Sequence, residues 1–266
     1  MSEPQIRFDD GAAYERMMGV WSRLAGEIFL EWVAPRAGLR WIDVGCGNGA
    51  ITELLVNRCA PAEVQGIDPS EGQLSFARSR PAARVAQFRQ GDAMALPFPQ
   101  GRFEAAIMAL VIFFVPDPAK GVAEMVRVVS PGGIVAAYAW DILDGGFPSP
   151  IPDELRAMGR KPPLPPSADV SRTDALRGLW TGGGLEAVET REITVHRTFA
   201  DFDEFWATSL SGSSIRPMVE AMSAEDVEQF KSRLRARLPA DAAGRITYSG
   251  RANAVKGRVP VKASSN

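Results

Sequence analysis

Three aspartates recur at nearly equal intervals in the first half of the chain: Asp43, Asp68 and Asp92 lie 25 and 24 residues apart. Asp43 and Asp68 stand at the ends of short apolar runs, Asp92 follows a third, and each interval has the length of one strand and one helix. Because parallel strands joined in this way end at the same edge of a sheet, we expect the three carboxylates to gather there. Carboxylates accept hydrogen bonds from hydroxyls and attract positive charge, so this edge would suit a ligand that carries both.

A glycine-rich turn accompanies the first aspartate, in the sequence WIDVGCGNGA at residues 41–50. Glycines let the backbone approach a ligand closely, and the start of the following helix offers free N–H groups. Gly45, Gly47 and Ala50 also satisfy the dinucleotide pattern G-x-G-x-x-G/A, so the turn alone leaves a nicotinamide cofactor open. Asp43 favours a cationic ligand, because a carboxylate two residues before Gly45 would repel a pyrophosphate.

The elements that must position these residues alternate between apolar runs and amphipathic stretches, which predicts an α/β fold with a doubly wound, mostly parallel sheet. The predicted strands are residues 39–44, 63–67, 85–89, 103–110 and 134–140, with two later strands at 185–198 and 245–259. The predicted helices between the first five strands are residues 50–59, 70–79 and 118–129. Ser70 and Asp117 stand at N-cap positions.

Segments outside this core have a different composition. Residues 12–33 show apolar residues at helical spacing, while residues 147–170 contain seven prolines, which favour an extended connection. Later helices are predicted at 173–181, 201–210 and 224–238. The resulting division is a helical cover at 1–36, a cofactor-binding core at 37–144, a Pro-rich loop at 145–172, a helical cover with closing strands at 173–260, and a tail at 261–266.

Composition excludes several classes of protein. The 266 residues are 45% hydrophobic and 23% charged with a net charge of −2, so neither disorder nor a general nucleic-acid binder is expected. Two cysteines and one histidine, His196, are too few for a disulfide framework or a metal site, and we expect neither a metal nor a catalytic role for His196. No signal peptide or membrane span is evident, which predicts a cytoplasmic protein.

Four segments in correct order carry a family resemblance: DVGCGNGAITELL, GIDPSEGQL, QGDAMALPF and DPAKGVAEMVRVVSPGG. They resemble the motifs of class I S-adenosylmethionine-dependent methyltransferases, in particular the small-molecule branch typified by ubiquinone and menaquinone C-methyltransferases. The resemblance is dense from about residue 38 to residue 140. It implies a Rossmann-like seven-stranded fold, S-adenosylmethionine as cofactor and S-adenosylhomocysteine as product.

The resemblance also implies roles for individual residues. Asp43 and the glycine turn would surround the methionine part of the cofactor, Asp68 would hold the ribose hydroxyls, and Asp92 would face the adenine. Tyr14 would close over the methionine carboxylate. The complete implied cofactor set is Tyr14, Asp43, Gly45, Cys46, Gly47, Asp68, Pro69, Ser70, Gln73, Gly91, Asp92, Ala93 and Leu110. Cys46 is interpreted as a small residue of the turn and not as a nucleophile.

The acceptor side departs from the branch pattern. A histidine often follows the fourth strand there, whereas this chain reads LVIFFVPDP with Phe113 and Phe114 in that place. The departure favours an acceptor that is already nucleophilic or a base from elsewhere, and no catalytic residue is assigned. We expect an apolar or aromatic small acceptor, with Trp21, Phe113, Phe114 and Trp140 as candidate walls. Phe202, Phe205 and Trp206, at helical spacing, are interpreted as core packing.

The predicted function is in-line transfer of a methyl group from S-adenosylmethionine to a small molecule. Two alternatives remain open: an NAD(P)-dependent oxidoreductase, and an S-adenosylmethionine-binding protein without catalysis. The small-molecule acceptor is the expected partner, nucleic acid is not, methylation of a protein stays open, and the oligomeric state is not predicted.

Overall fold

The computed structural model describes residues 11–211, 214–238 and 240–261. Its centre is one seven-stranded sheet in the order β3-β2-β1-β4-β5-β7-β6. The strands are β1 (Arg40–Val44), β2 (Glu63–Asp68), β3 (Ala86–Gln90), β4 (Phe103–Ala109), β5 (Val129–Trp140), β6 (Glu186–Phe199) and β7 (Ile246–Arg258). The first five strands are parallel, β7 runs antiparallel to β5, and β6 runs antiparallel to β7. The predicted doubly wound, mostly parallel sheet is therefore confirmed.

Helices cover both faces of this sheet. They are α1 (Gly11–Tyr14), α2 (Val20–Val33), α3 (Ala50–Cys59), α4 (Glu71–Ser79), α5 (Pro118–Val128), α6 (Ile151–Ala157), α7 (Thr173–Gly182), α8 (Phe202–Leu210), α9 (Arg216–Glu220) and α10 (Ala224–Arg237). A π-helical turn, Glu15–Gly19, joins α1 to α2. Among the described residues, no helix is long and apolar enough to cross a membrane.

The alternation of side chains along β5 divides the interior into two cores. Tyr138 and Trp140 point to the core shared with α2, α6, α8 and α10, while Val135 and Ala137 point to the core shared with α5 and α7. Successive strand residues face opposite sides of a sheet, so a strand covered on both faces must be apolar throughout. This requirement explains the continuous apolar run of β5.

Polar caps begin the helices that follow the sheet edge. The Ser70 hydroxyl accepts a hydrogen bond from the Gln73 amide at 3.4 Å, and the Asp117 carboxylate accepts one from the Lys120 amide at 3.0 Å. Both predicted N-caps are confirmed. These bonds satisfy amide groups that the first turn of a helix leaves without partners.

The prediction of a continuous loop over residues 145–172 is wrong at α6. Pro150 is the N-cap of this helix and Pro152 lies in its first turn. A first-turn residue needs no intrahelical N–H partner, so proline is tolerated there and the proline count misled the prediction. The short helix α9 was not predicted, and β5 begins at Val129, five residues earlier than expected.

Candidate active site

The glycine turn after β1 is fixed to the end of β2. The amides of Gly45 and Cys46 both donate to the Ile67 carbonyl, at 2.7 and 3.0 Å. Gly45 has a φ of +76°, and a Cβ placed on it would lie 2.5 Å from the Val111 side chain. A left-handed backbone and this close approach together require glycine. The turn therefore brings unhindered backbone to the edge of the sheet between β1 and β4.

Asp68 ends β2 beside this turn. Its Oδ2 accepts a hydrogen bond from the Gly47 amide and its Oδ1 accepts one from the Ser70 amide, both at 2.9 Å. Burial raises the pKa of the Asp68 carboxyl, and these two amide bonds oppose the rise. Each carboxylate oxygen can accept a further bond, so Asp68 can take two hydroxyl donors at once.

Asp43 is a buried carboxyl with an unused oxygen. The Thr52 hydroxyl donates to its Oδ2 at 2.6 Å, while its Oδ1 has no hydrogen-bond partner among the described residues. Burial raises the pKa of Asp43 to about 7, the negative charge of Asp68 adds to the rise, and the Thr52 bond opposes it. A nearby positive charge would offset the cost of ionising this group.

Asp92 lies in the turn after β3, so the three aspartates stand at or just past three adjacent strands. Unlike the other two, Asp92 is exposed, and its Oδ1 accepts a hydrogen bond from the Met94 amide at 2.8 Å. The Gly91 amide donates to the Asp68 carbonyl at 3.1 Å, which links this turn to the end of β2. The edge therefore combines two buried carboxyls with a solvent-facing one.

The amino-terminal helices cover this edge. Burial, together with the negative charge of Asp68, raises the pKa of Tyr14 to about 12. The buried Asn48 side chain, in the glycine turn, donates to the Gly11 carbonyl at 3.3 Å and to the Glu15 carboxylate at 2.9 Å. The turn thus holds the cover by direct hydrogen bonds.

Arg80 completes this attachment. Its guanidinium donates to the Asn48 carbonyl at 2.6 Å, to the Glu53 carboxylate at 2.8 Å and to the Glu15 carboxylate at 2.5 Å. We call Glu15, Asn48, Glu53 and Arg80 the Arg80 latch. Sequence reasoning missed the latch, because no local pattern relates residues this far apart.

A large apolar cavity lies next to the covered edge. It encloses about 1150 Å³, part of which is open to solvent. Six of the predicted residues line it: Tyr14, Trp21, Leu110, Phe113, Phe114 and Trp140. The Trp21 and Trp140 rings meet edge to face at 6.4 Å, and the Phe113 and Phe114 rings do so at 4.6 Å. The structure thus brings together the aromatic residues that were predicted to contact the acceptor.

The Pro-rich segment forms a second wall of the cavity. It contributes Phe147, Pro148, Ser149, Ile151, Pro152, Asp153, Arg156, Pro163, Leu164 and Pro165. The Ser167 side chain donates to the Val115 carbonyl at 2.8 Å and its amide donates to the Phe113 carbonyl at 3.0 Å, which pins this segment beside β4. Asp153 and Arg156 pair at 2.6 Å and give the cavity a charged border.

Comparison with known proteins agrees with this architecture. Residues 42–137 match the family model described as a methyltransferase domain. A demethylmenaquinone methyltransferase of Desulfitobacterium hafniense is 34% identical over 113 residues, which cover 41% of this chain and 45% of the relative. A 2-phytyl-1,4-naphtoquinone methyltransferase of Synechococcus elongatus is 34% identical over 122 residues, covering 44% and 51%.

The chain carries a class I S-adenosylmethionine-dependent methyltransferase domain. The chain spans about half the length of these two relatives. The structural likeness extends further: phosphoethanolamine N-methyltransferase 2 of Haemonchus contortus superposes with a TM-score of 0.58 at 17% identity, covering 94% of this chain and 56% of that one. The match confirms the predicted methyltransferase domain, whose expected cofactor is S-adenosylmethionine.

The remaining predicted residues of the methyltransferase domain lie at or near the same edge. Pro69, Ser70 and Gln73 follow Asp68 into α4, and Ala93 follows Asp92. Leu110 directly follows β4 with a left-handed φ of +61°, and its amide donates to the Tyr138 carbonyl at 2.8 Å. Their contacts with a cofactor remain predictions.

Three other groups were not predicted to take part in catalysis. Burial and the charges of Asp43 and Asp68 raise the pKa of the Cys46 thiol well above its usual value, which disfavours a nucleophilic thiolate. His196 is exposed on β6. Phe202, Phe205 and Trp206 pack against one another in the core around α8 and α10 and are not among the cavity-lining residues. Among the described residues, no cluster could hold a metal ion.

Proposed function

We propose that this protein transfers a methyl group from S-adenosylmethionine to a small apolar or aromatic acceptor held in the cavity. One observation carries the proposal: Tyr14 lines the cavity and also feels the charge of Asp68. These two properties of Tyr14 support an acceptor space that lies near the carboxylate edge. A donor bound at the edge would face an acceptor in the cavity without crossing bulk water.

The edge fits the charge and shape of this donor. Asp43 offers a buried oxygen that has no partner in the described part of the chain, Asp68 offers two acceptor oxygens, and the glycine turn leaves room for a close approach. When bound, S-adenosylmethionine supplies a methyl group on a sulfonium sulfur: the electron pair of the acceptor forms the new bond to carbon, and sulfur keeps the electrons of the broken bond. Asp43 and Asp68 would hold and orient the donor.

The cavity supports an acceptor with an oxygenated aromatic ring. The names of the two relatives refer to demethylmenaquinone and to a 1,4-naphtoquinone. Phe113 and Phe114 form an apolar wall where a histidine base would have stood, and Tyr14, with a pKa of about 12, keeps its proton at neutral pH. We therefore propose an acceptor that reacts as a phenolate or enolate, so that its proton has already left to solvent.

Calorimetric titration tests the donor. S-adenosylhomocysteine should bind with micromolar affinity, whereas NAD(H) and NADP(H) should not bind. Binding of a nicotinamide nucleotide alone would overturn the proposal and support an oxidoreductase, which the position of Asp43 disfavours. Transfer of a labelled methyl group to oxygenated aromatic compounds then separates an enzyme from a binding protein without catalysis.

The proposal includes a small-molecule partner and a cytoplasmic location. Both cysteines, Cys46 and Cys59, are free and buried, which is consistent with a reducing compartment. The nearly balanced charge supports the exclusion of nucleic acid as a partner.

A further inference from the structure

Trp140 lies at the wall of the cavity and carries a hydrogen-bond donor that has no acceptor among the residues the structure describes. It is the last residue of β5, its side chain is 1% exposed, and it lines the cavity. Its indole N–H has no hydrogen-bond partner among the described residues. Leaving a buried donor unpaired costs free energy that a matching acceptor can recover.

Two other tryptophans show why this position is unusual. The Trp180 indole N–H donates to the Val135 carbonyl at 2.9 Å, so a tryptophan buried in the second core is paired. The Trp41 N–H also has no partner in the part of the chain that the structure describes, but Trp41 lies within the core and is not among the cavity-lining residues. Trp140 therefore combines an unpaired N–H with a place at the cavity wall.

The contacts of the Trp140 ring show which of its edges carries the N–H and which side chains line the cavity with it. A Cβ placed on Gly250 of β7 would lie 3.2 Å from Cζ3 of Trp140, so the N–H lies on the opposite edge of the ring from that contact. Met17 and Met18 line the cavity together with Trp140. Methionine side chains are unbranched and adaptable, so they can shift to admit a ligand atom.

We propose that the indole N–H of Trp140 donates a hydrogen bond to an oxygen atom of the methyl acceptor. This inference rests on the proposed function and narrows its substrate class. An indole N–H can only donate, so it selects a hydroxyl, phenolate or carbonyl oxygen over a hydrocarbon of the same shape. It would also hold an oxygenated ring in a fixed orientation toward the carboxylate edge.

Matched probes and matched variants test this role. Binding of 2-naphthol and of naphthalene is measured by titration, with and without S-adenosylhomocysteine. The wild-type protein should prefer 2-naphthol by about three- to tenfold, the range expected of one neutral hydrogen bond. Trp140→Phe should abolish this preference, whereas Trp41→Phe, which removes the unpaired N–H in the core, should retain it.

Spectroscopy locates the bond directly. In a ¹⁵N-labelled sample, the indole resonance that is missing from Trp140→Phe should move downfield with 2-naphthol and not with naphthalene. Equal affinity for the two probes, or an unmoved resonance at saturating 2-naphthol, would overturn the inference. Failure of S-adenosylhomocysteine to bind would instead refute the proposed function. The two failures can be told apart because discrimination between 2-naphthol and naphthalene is also measured without S-adenosylhomocysteine.

Discussion

The carboxylate of Glu15 lies 2.5 Å from the guanidinium of Arg80, although the two residues are 65 positions apart in the chain. The Arg80 side chain is only 10% exposed and also bonds Asn48 and Glu53. The pair therefore ties the amino-terminal cover to the glycine turn and to the end of α4. The ordering of the cover and the shape of the turn are energetically coupled.

Removal of the Arg80 side chain should destabilise the protein. Arg80→Ala leaves Glu53 without its cation and leaves Glu15 paired only with Arg23, so we expect a loss of about 2 kcal/mol in the free energy of unfolding. Arg78→Ala is the control, because Arg78 pairs with Glu71 at the exposed surface and should contribute much less to the free energy of unfolding. Urea unfolding measures the free energy of unfolding of both variants. Equal losses would show that the Arg80 latch stabilises the protein no more than an exposed ion pair does.

Loss of the Asp68 charge should weaken cofactor binding without unfolding the chain. Asp68→Asn keeps the shape of the side chain but removes a charged acceptor, so affinity for S-adenosylhomocysteine should fall by about tenfold or more. Asp117→Asn is the matched control, since Asn also caps helices well and α5 starts away from the glycine turn. Calorimetric titration of both variants with S-adenosylhomocysteine tests this prediction, and unchanged affinity in Asp68→Asn would refute the assignment of Asp68 to the ribose hydroxyls.

Cofactor affinity should depend on pH through Asp43. The pKa of this carboxyl is raised to about 7, so it is neutral below and charged above that pH. A cationic ligand prefers the charged form, and affinity for S-adenosylmethionine should therefore rise between about pH 5.5 and about pH 8.5. Asp43→Asn should bind S-adenosylmethionine more weakly at high pH, and its affinity should change less with pH. An equally steep change of affinity with pH in this variant would show that another group causes the dependence.

The stability of the ligand-free protein should depend on pH with the opposite sign: it should fall as the pH rises. Because the folded state raises this pKa above its unfolded value, the neutral form is favoured, and this contribution is lost as the pH rises through about 7. Chemical unfolding of the wild-type protein and of Asp43→Asn across this pH range measures the contribution as a difference in the free energy of unfolding.

Truncation of Phe113 should reduce turnover of the acceptor and leave cofactor affinity unchanged. Phe113→Ala removes part of the cavity wall, so turnover of an identified aromatic acceptor should fall by about tenfold while affinity for S-adenosylhomocysteine is unchanged. Phe98→Ala is the control, because Phe98 packs edge to face on Phe103 at 4.9 Å and is not among the cavity-lining residues. Turnover that survives Phe113→Ala would argue against this wall.

Much of the fold could be predicted because local patterns and tertiary packing agree. All seven strands were predicted, and the apolar runs of β4 and β5 were clear signals because both strands are covered on both faces. The placement of Asp43 and Asp68 followed from strand direction alone. Helix α6 could not be predicted in this way, because a high proline content outweighed the tolerance for proline in a first turn.

The rest of the site depends on contacts between segments distant in sequence. The cavity wall from the Pro-rich segment is set by Ser167 bonding to Phe113 and Val115, which no periodicity encodes. The Arg80 latch and the unpaired N–H of Trp140 likewise arise only once the helices are docked. Spacing along a chain locates the ends of strands; it does not tell which side chains will be left without partners.

The helices α8, α9 and α10 leave the sheet after β6 and return at β7, and these two strands pair with each other along nearly their whole length. The insertion therefore begins and ends at one closed hairpin, and strand order does not depend on how long it is. The family match ends at residue 137, before this hairpin. The segment between β6 and β7 also supplies Thr208, Ser209, Ser214 and Ile215 to the cavity wall, so this hairpin is a graft point for changing that part of the wall while the strand order stays the same.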